Sequence, residues 1–539
     1  MRPEPTPDPS LILDLVCLVD GPATIRQLDA TARSLTDQTH RGWSAVFAVS
    51  SDAHPAARAA AEGWAARDRR FSVSDGAGLP GGEGSHFAIV RAGDVLRPAA
   101  LEWCASCLPE ADLVYTDGAT VDPGGEPTDP EFKPAWSPFL LLGTDYLHHL
   151  TFVRRELAGS VGWDGDLGRL GRHDLWLRVS ETAPIVAHLP NLLLLRRETY
   201  TDASGRTLEA EEAGMRVVQA ALDRRGWEAT AAHGPGTPFR YRILWRPDPE
   251  PPLVKVVVPT RDRVELLREA LGGLLYRTDD LPIHIVVVDN GSREPETLWY
   301  LAELAEHAEV TVVRHDDAFN YSELVNLGAR SGPAADLLLL FNNDVVVLHR
   351  EWLRQLCGWL RVEGVVAAGA KLLFPDGRIQ HAGVIVGFGG LAGHYALGED
   401  DLPSPGSLHD AAREVGCVTA ACLVVRTEAF EKLDGFDEDL PIDFQDVDFC
   451  LRLRHQLGGT IVYDPSYPLT HDQGSTRGST GASNDYTISR LRFQWHDVLD
   501  AGDPYHSPHL PRSRHGGGLE AVARGVDRRR ARVAPRWHR

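Results

Sequence analysis

The polar residues able to do chemistry sit just after short apolar runs. In the second half of the chain they read Pro259-Thr260-Arg261-Asp262, Asp289-Asn290-Gly291-Ser292 and Asn342-Asn343-Asp344. The last group follows the apolar run Leu337 to Phe341 and is itself followed by Val345, Val346 and Val347. Later come Phe319-Asn320-Tyr321-Ser322, Asn326, Gln380-His381, Gln445-Asp446-Val447-Asp448 and His471-Asp472. Carboxylates and amides gathered at strand ends suit a polar ligand, and a stable core does not require them. Each also has a plain structural reading. Asp-Asn-Gly-Ser makes a good turn, because Asn-Gly supplies positive φ. Asp446 could cap a helix whose buried face is Val447, Cys450 and Leu451. A lone histidine such as His471 is commonly a satisfied loop residue.

The elements around these residues argue for the ligand reading. Apolar strands at Val254–Val258, Ile283–Val288, Val310–Val313 and Leu337–Phe341 alternate with helical stretches such as Arg263 to Tyr276 and Glu294 to His307. Continuous apolar strands between amphipathic helices indicate a mostly parallel α/β sheet covered on both faces. Ligands of such sheets bind at the C-terminal ends of the strands, where the polar residues stand.

The chain has 539 residues, which is too long for one ordinary domain. Its hydrophobic content of 43% supports full-sized cores. The net charge of −21 argues against nucleic acid as a partner, since a phosphate backbone needs a basic face. That charge is uneven. From Tyr505 onward, nine Arg stand against Glu520 and Asp527, leaving the remainder strongly acidic. The seven cysteines are scattered, and the single C-x-x-C, Cys104 and Cys107, reads as a helix face; a reducing cytoplasm is expected. MRPEPTPDPS lacks a basic region followed by an apolar core and is not expected to act as a signal peptide, and no apolar run is long enough to span a membrane.

The Pro-rich stretch 246–252 reads as a linker between a first domain, 1–245, and a second, 253–500, with a basic, disordered tail at 501–539. The two halves repeat one another. VRRE at 153–156, Gly162-Trp163-Asp164 and Asp174 to Arg178 are matched by VRTE at 425–428, Gly435-Phe436-Asp437 and Asp448 to Arg452. Three matches in register indicate two domains of one fold.

The segments VVVPTRDR, VVVDNGS, FNYSELVNLGA, LLLLFNNDVVV, GAKLLFPDGRIQHAGV, FQDVDFCLRLR and THDQGSTRG together resemble the glycosyltransferase family 2 domain. The tandem bacterial members associated with rhamnan, O-antigen and exopolysaccharide assembly are most similar. The resemblance implies two tandem nucleotide-sugar-binding domains of GT-A type, a nucleotide-sugar donor, a glycan or lipid-linked acceptor, and a divalent cation, Mn²⁺ or Mg²⁺. It places Pro259, Thr260, Arg261, Asp289, Asn326 and Asn343 at the nucleotide sugar. Asp344 would bind the cation, with His471 closing over it. Asp446 would be the general base, with Gln445 and Asp448 on the acceptor side. Asn342 departs from the family's D-x-D pattern, so one charged ligand stands where two are expected.

Inverting transfer needs one carboxylate to take the acceptor proton. A cation neutralises the leaving diphosphate, and a histidine ligand tilts the choice toward Mn²⁺. The first half resembles the family without its chemistry. Ser50 falls at the Asp289 position, Arg91-Ala92-Gly93-Asp94 at the D-x-D position, and Arg172 at the Asp446 position. An arginine cannot be a general base at neutral pH, so the first domain is expected to be inactive and to position the acceptor or contact a protein. A carbohydrate-binding scaffold is the rival reading. A nucleotidyltransferase would need a Gly-rich basic loop after the first strand, which PTRDRVE does not supply. The Arg-rich tail could be a solubilising end or could draw the enzyme to anionic lipid at the inner face of the membrane.

Overall fold

The computed structural model describes residues 11–510, apart from 22, 77–78, 80, 122–126, 149, 197–207, 237, 279–280, 403–407 and 473–484. Most of the basic tail therefore lies outside the described residues, as does the motif THDQGSTRG beyond Asp472. The chain divides into two compact units, one reaching Gly226 and including His506–Leu510, the other Trp227–Tyr505. The division precedes the Pro-rich stretch because the hairpin of Ala229–His233 and Tyr241–Trp245 packs with the second unit. There the Trp245 main-chain N–H donates to the Gln355 carboxamide oxygen at 3.2 Å, and the Trp245 ring lies 5.5 Å from that of Trp359.

Each unit is built on one mixed, mostly parallel sheet. In the first unit the strands lie in the order Phe71–Asp75, Trp43–Val49, Leu13–Val19, His86–Arg91, Thr151–Arg154, Leu113–Val121, Val186–Arg196, Val95–Leu96. The second repeats it as Val310–Arg314, Ile283–Asp289, Val254–Thr260, Leu337–Phe341, Cys422–Arg426, Val365–Leu373, Thr460–His471, Val345–Val346. The same strand is antiparallel in both, Thr151–Arg154 in one and Cys422–Arg426 in the other.

The sequence dictates these elements locally. Val254–Thr260 is buried at every position, as a central strand covered on both faces must be. The next helix, Val264–Tyr276, buries Val264, Leu267, Ala270, Leu271 and Leu274, the stripe a helix presents to a sheet. All seven cysteines are buried free thiols. Cys104 and Cys107 lie on the helix Ala100–Cys107, where burial pushes both thiols up, as a packed helix face and not a reactive pair. Among the described residues no helix is long and apolar enough to cross a membrane.

The repeat extends to side-chain devices. In the second unit the Arg452 Nε donates to Asp448 at 2.7 Å, and its Nη1 donates to the Leu433 and Gly435 carbonyls. In the first unit the Arg178 Nε donates to Asp174 at 2.7 Å and its Nη1 to the Val161 carbonyl. The backbone also corrects one correspondence. Ser50 N–H donates to Val19 O as Asn290 N–H donates to Thr260 O, so Ser50 matches Asn290, and Val49 stands where Asp289 does.

Candidate active site

The C-terminal ends of three adjacent parallel strands build one side of the site. Thr260 pairs with Asp289, and Asp289 with Arg314, in neighbouring registers. Thr260 is buried, and its hydroxyl accepts a 3.0 Å hydrogen bond from the Asn343 carboxamide. Pro259 is buried in the strand, and Arg261 just beyond it is exposed. Asp289 is 1% exposed and fully engaged. Its Oδ1 accepts from Ser292 N–H at 2.9 Å and its Oδ2 from Arg314 Nη1 at 2.6 Å. Arg314 is held in turn by Asp316, 2.8 Å away, and by the Ser292 carbonyl. The sequence reading did not single out Arg314. Its place at a strand end beside Asp289 was the available signal, but an arginine there reads equally as a solvated end.

A second side forms where the chain turns after Phe341. The two-residue strand Val345–Val346 pairs antiparallel with the end of Thr460–His471, setting Val345 opposite His471. Asp472 N–H also donates to Asp344 O at 3.1 Å. This pairing brings together residues 129 apart in sequence, Asn342 and His471. Asp344 and His471 are both buried, and His471 Nε2 lies 3.1 Å from Asp344 Oδ1. Among the described residues, Asp344 Oδ1 and His471 Nδ1 are buried without a hydrogen-bond partner. A buried carboxylate oxygen left unsatisfied beside an imidazole is a donor set that fits a divalent cation taking O and N ligands, such as Mn²⁺ or Mg²⁺. His381, from the QHAG segment, is buried nearby with its Nδ1 2.9 Å from His394 Nδ1. Burial holds its pKa well below the usual histidine range, with His394, Arg413 and His471 adding to the effect.

Asp446 opens the helix Gln445–His455, entered through Phe444 in the left-handed region at φ 63°. Its Oδ2 accepts from Ala420 N–H at 3.1 Å and its Oδ1 from Val447 N–H at 2.9 Å. Burial raises its pKa above the ordinary carboxylate value, against the lowering effect of the Ala420 N–H and the Thr419 hydroxyl. Phe444 is the N-cap residue and Asp446 lies inside the first turn, so the cap expected of Asp446 is not formed and the proton-acceptor reading is left. Its backbone contacts orient the carboxylate, and its raised proton affinity suits a base. Gln445 beside it is buried, with a carboxamide oxygen that lacks a partner among the described residues.

Two expected site residues do other work. Asn326 was expected at the nucleotide sugar. Its Oδ1 accepts from Phe436 N–H at 2.8 Å, and its Nδ2 donates to Phe436 O and to Glu438. The carboxamide thus clamps the 435–438 loop. Gly435, at φ 72°, passes so close that a Cβ there would meet Asn326 Oδ1 at 2.2 Å. Asp448 was expected on the acceptor side. It is 0% exposed, and its oxygens are taken by Arg452 at 2.7 Å and the Trp495 indole at 2.8 Å. On a helix only one face can point at a ligand, and two residues after Asp446 the side chain faces the core.

A buried, mostly parallel sheet with its polar groups at the strand ends defines an α/β domain, the class whose ligands bind at that edge. Residues 255–433 match the family Glycosyl transferase family 2. The chain thus carries a glycosyltransferase family 2 domain in its second unit. It is 34% identical over 507 residues to the O-antigen biosynthesis protein RfbC of Myxococcus xanthus, covering 92% of this chain and 38% of that protein. It is 31% identical over 543 residues to the uncharacterized protein y4gI of Sinorhizobium fredii, covering 94% of this chain and 57% of that one. An N-acetylglucosaminyl-diphospho-decaprenol L-rhamnosyltransferase of Mycobacterium tuberculosis is 27% identical over 262 residues, 43% of this chain and 80% of its own length. The chain thus spans 38% and 57% of the length of the first two relatives.

Proposed function

We propose that the second unit is an inverting, cation-dependent glycosyltransferase that moves a sugar from a nucleotide-sugar donor to a glycan or lipid-linked acceptor in cell-surface polysaccharide assembly. The family domain and the O-antigen and rhamnosyltransferase relatives support the class of reaction. The observation that carries the finer reading is the meeting of Asp344, His471 and, through Ala420 and Ala421, Asp446 at one sheet edge.

In this reading Asp446 takes the proton of the acceptor hydroxyl. That oxygen bonds to the anomeric carbon as the bond from that carbon to the donor phosphate breaks on the opposite face. Thr260, Asn343 and the Asp289–Arg314 pair hold the nucleoside end, with Pro259 and Arg261 at its border and Gln445 toward the acceptor. Asp344 and His471 would hold the cation, which when bound supplies positive charge for the departing diphosphate. The first unit is non-catalytic and serves the acceptor or a protein contact. Contact of the Arg-rich tail with anionic lipid from the cytoplasmic side belongs to the same reading, and vesicle co-sedimentation with and without residues 511–539 tests it.

The deciding experiment supplies dTDP-rhamnose, UDP-N-acetylglucosamine and GDP-mannose in turn with Mn²⁺, Mg²⁺ or EDTA. Hydrolysis or transfer of one donor that needs the cation and disappears in Asp446→Asn is expected. Donor turnover that is indifferent to EDTA and to Asp446 would sink the proposal.

A further inference from the structure

Asn342 occupies the turn position where a second charged ligand is expected, yet its groups are engaged elsewhere. Its Oδ1 accepts from the Tyr321 hydroxyl at 3.0 Å, and its main-chain N–H donates to Ala421 O at 3.1 Å. Its Nδ2 lies 3.5 Å from His471 Nε2, too long for a useful hydrogen bond. The Tyr321 hydroxyl also reaches the Ala420 carbonyl at 3.3 Å. With one proton it donates to one acceptor at a time, and Asn342 is the nearer. Ala420 N–H in turn donates to Asp446 Oδ2 at 3.1 Å. Tyr321 is 7% exposed and is fixed by its own main-chain N–H, which donates to Pro441 O at 2.7 Å. A short path thus runs from the turn carrying Asp344, through the Asn342 main-chain N–H to Ala421 and its neighbour Ala420, to Asp446, and the Tyr321 hydroxyl holds the Asn342 carboxamide at its start.

We propose that Asn342 is not a cation ligand, and that with Tyr321 it forms a positioning pair that sets the place of the Asp344 turn relative to the Asp446 carboxylate. The inference rests on the reading of the second unit as a transferase. An amide suits this task because it accepts from Tyr321 without adding a second negative charge beside buried Asp344. A displacement of the base by a fraction of an ångström would then appear in the chemical step and not in binding.

The test is a double-mutant cycle of Tyr321→Phe and Asn342→Ala on the full chain. Each single change removes about one hydrogen bond and is expected to lower kcat roughly five- to tenfold. Because both cut the same link, the double variant should fall no more than about twofold further. Donor KM should stay within about threefold of wild type. Mn²⁺ binding to the substrate-free chain, read by electron paramagnetic resonance, should also stay within about threefold in all three variants. Asp344→Asn should weaken it at least about tenfold.

If Asn342→Ala weakens Mn²⁺ as much as Asp344→Asn does, Asn342 is a ligand and the proposal fails. Multiplying kcat losses would separate Tyr321 from Asn342 and also overturn it. Should the wild type turn over no donor, the functional reading falls by itself. Amide exchange across Ala420–Ala421 then decides the link. Faster exchange in Tyr321→Phe sustains it, and unchanged protection refutes it.

Discussion

The two units share a sheet order and an Asp–Arg pair on the equivalent helix, yet they differ at nearly every strand end. Where the second unit has Thr260 and Asp289, the first has Val19 and Val49. The place of Asp446 is taken by Arg172, whose buried guanidinium lies 3.2 Å from Asp145. The partner of Val345 is His471, whereas the partner of Val95 is Leu195. Asp94 survives at the Asp344 position, but its Oδ2 accepts from the N–H of Arg91 in its own turn at 3.0 Å. Registers against Thr151–Arg154 and Cys422–Arg426 also align Asp117 with Lys371. Asp117 is buried against His188 at 2.8 Å, and Lys371 against Asp401.

These strand ends are buried in both units, so the sheet accepts either an apolar or a hydrogen-bonded polar side chain there. The Asp–Arg pair holds a helix to the loop before it, so its loss would cost stability in either unit. A residue shared together with its contacts, as the Asp–Arg pair is, therefore marks architecture. A strand-end residue that differs, or that like Asp94 keeps its type but is tied to Arg91 in its own turn, marks chemistry held by a single unit.

Four tests would break or sharpen that contrast. The largest effect is expected from Asp446→Asn, which should lower transfer by about 10²- to 10⁴-fold while leaving donor binding near wild type. Residual turnover near the wild-type rate would mean that the first unit is competent. Next, Asp344→Asn should remove several kcal/mol of transition-state stabilisation, whereas Asp94→Asn should leave steady-state rates unchanged. Equal losses at the two positions would erase the distinction between the units.

The matched Asp–Arg pairs come third. Asp448→Asn leaves the Arg452 side chain, 9% exposed, without its charge partner, and should cost about 3–5 kcal/mol in denaturant unfolding. Asp174→Asn acts on the better-solvated Arg178, 24% exposed, and should cost about 1 kcal/mol. A larger cost at Asp174 would contradict the burial argument. The smallest effect concerns pH. Burial raises the Asp446 pKa, and the base must be deprotonated to work. The rate should be full above that pKa and fall as pH drops through it, at a higher pH than an exposed aspartate would give. A kcat profile flat down to the ordinary carboxylate range would remove Asp446 from the base role.

Much of this architecture is legible in the residues alone. Continuous runs such as Val254–Val258 and Leu337–Phe341 can only be buried strands, and the stripe from Val264 to Leu274 can only be a helix face. The repeat is equally legible, since VRRE and VRTE keep register with the Asp–Arg segments. Residue type alone misplaces Asn326 and Asp448. A polar residue beginning or ending an element looks the same whether it faces a ligand or clamps a loop, and the Phe436 backbone and Trp495 decide which.

The sequence by itself determined two α/β domains of one fold, the edge on which polar groups gather, and which half keeps the carboxylates. Local periodicity and composition are enough for that, because burial acts residue by residue along each strand and helix. The tertiary structure alone set His471 against Asp344, closed Arg314 onto Asp289, set Tyr321 on the Asn342 carboxamide, and tied Asn342 to the loop that holds Asp446. Those contacts join segments far apart in the chain, through strand registers and single hydrogen bonds that no local pattern encodes.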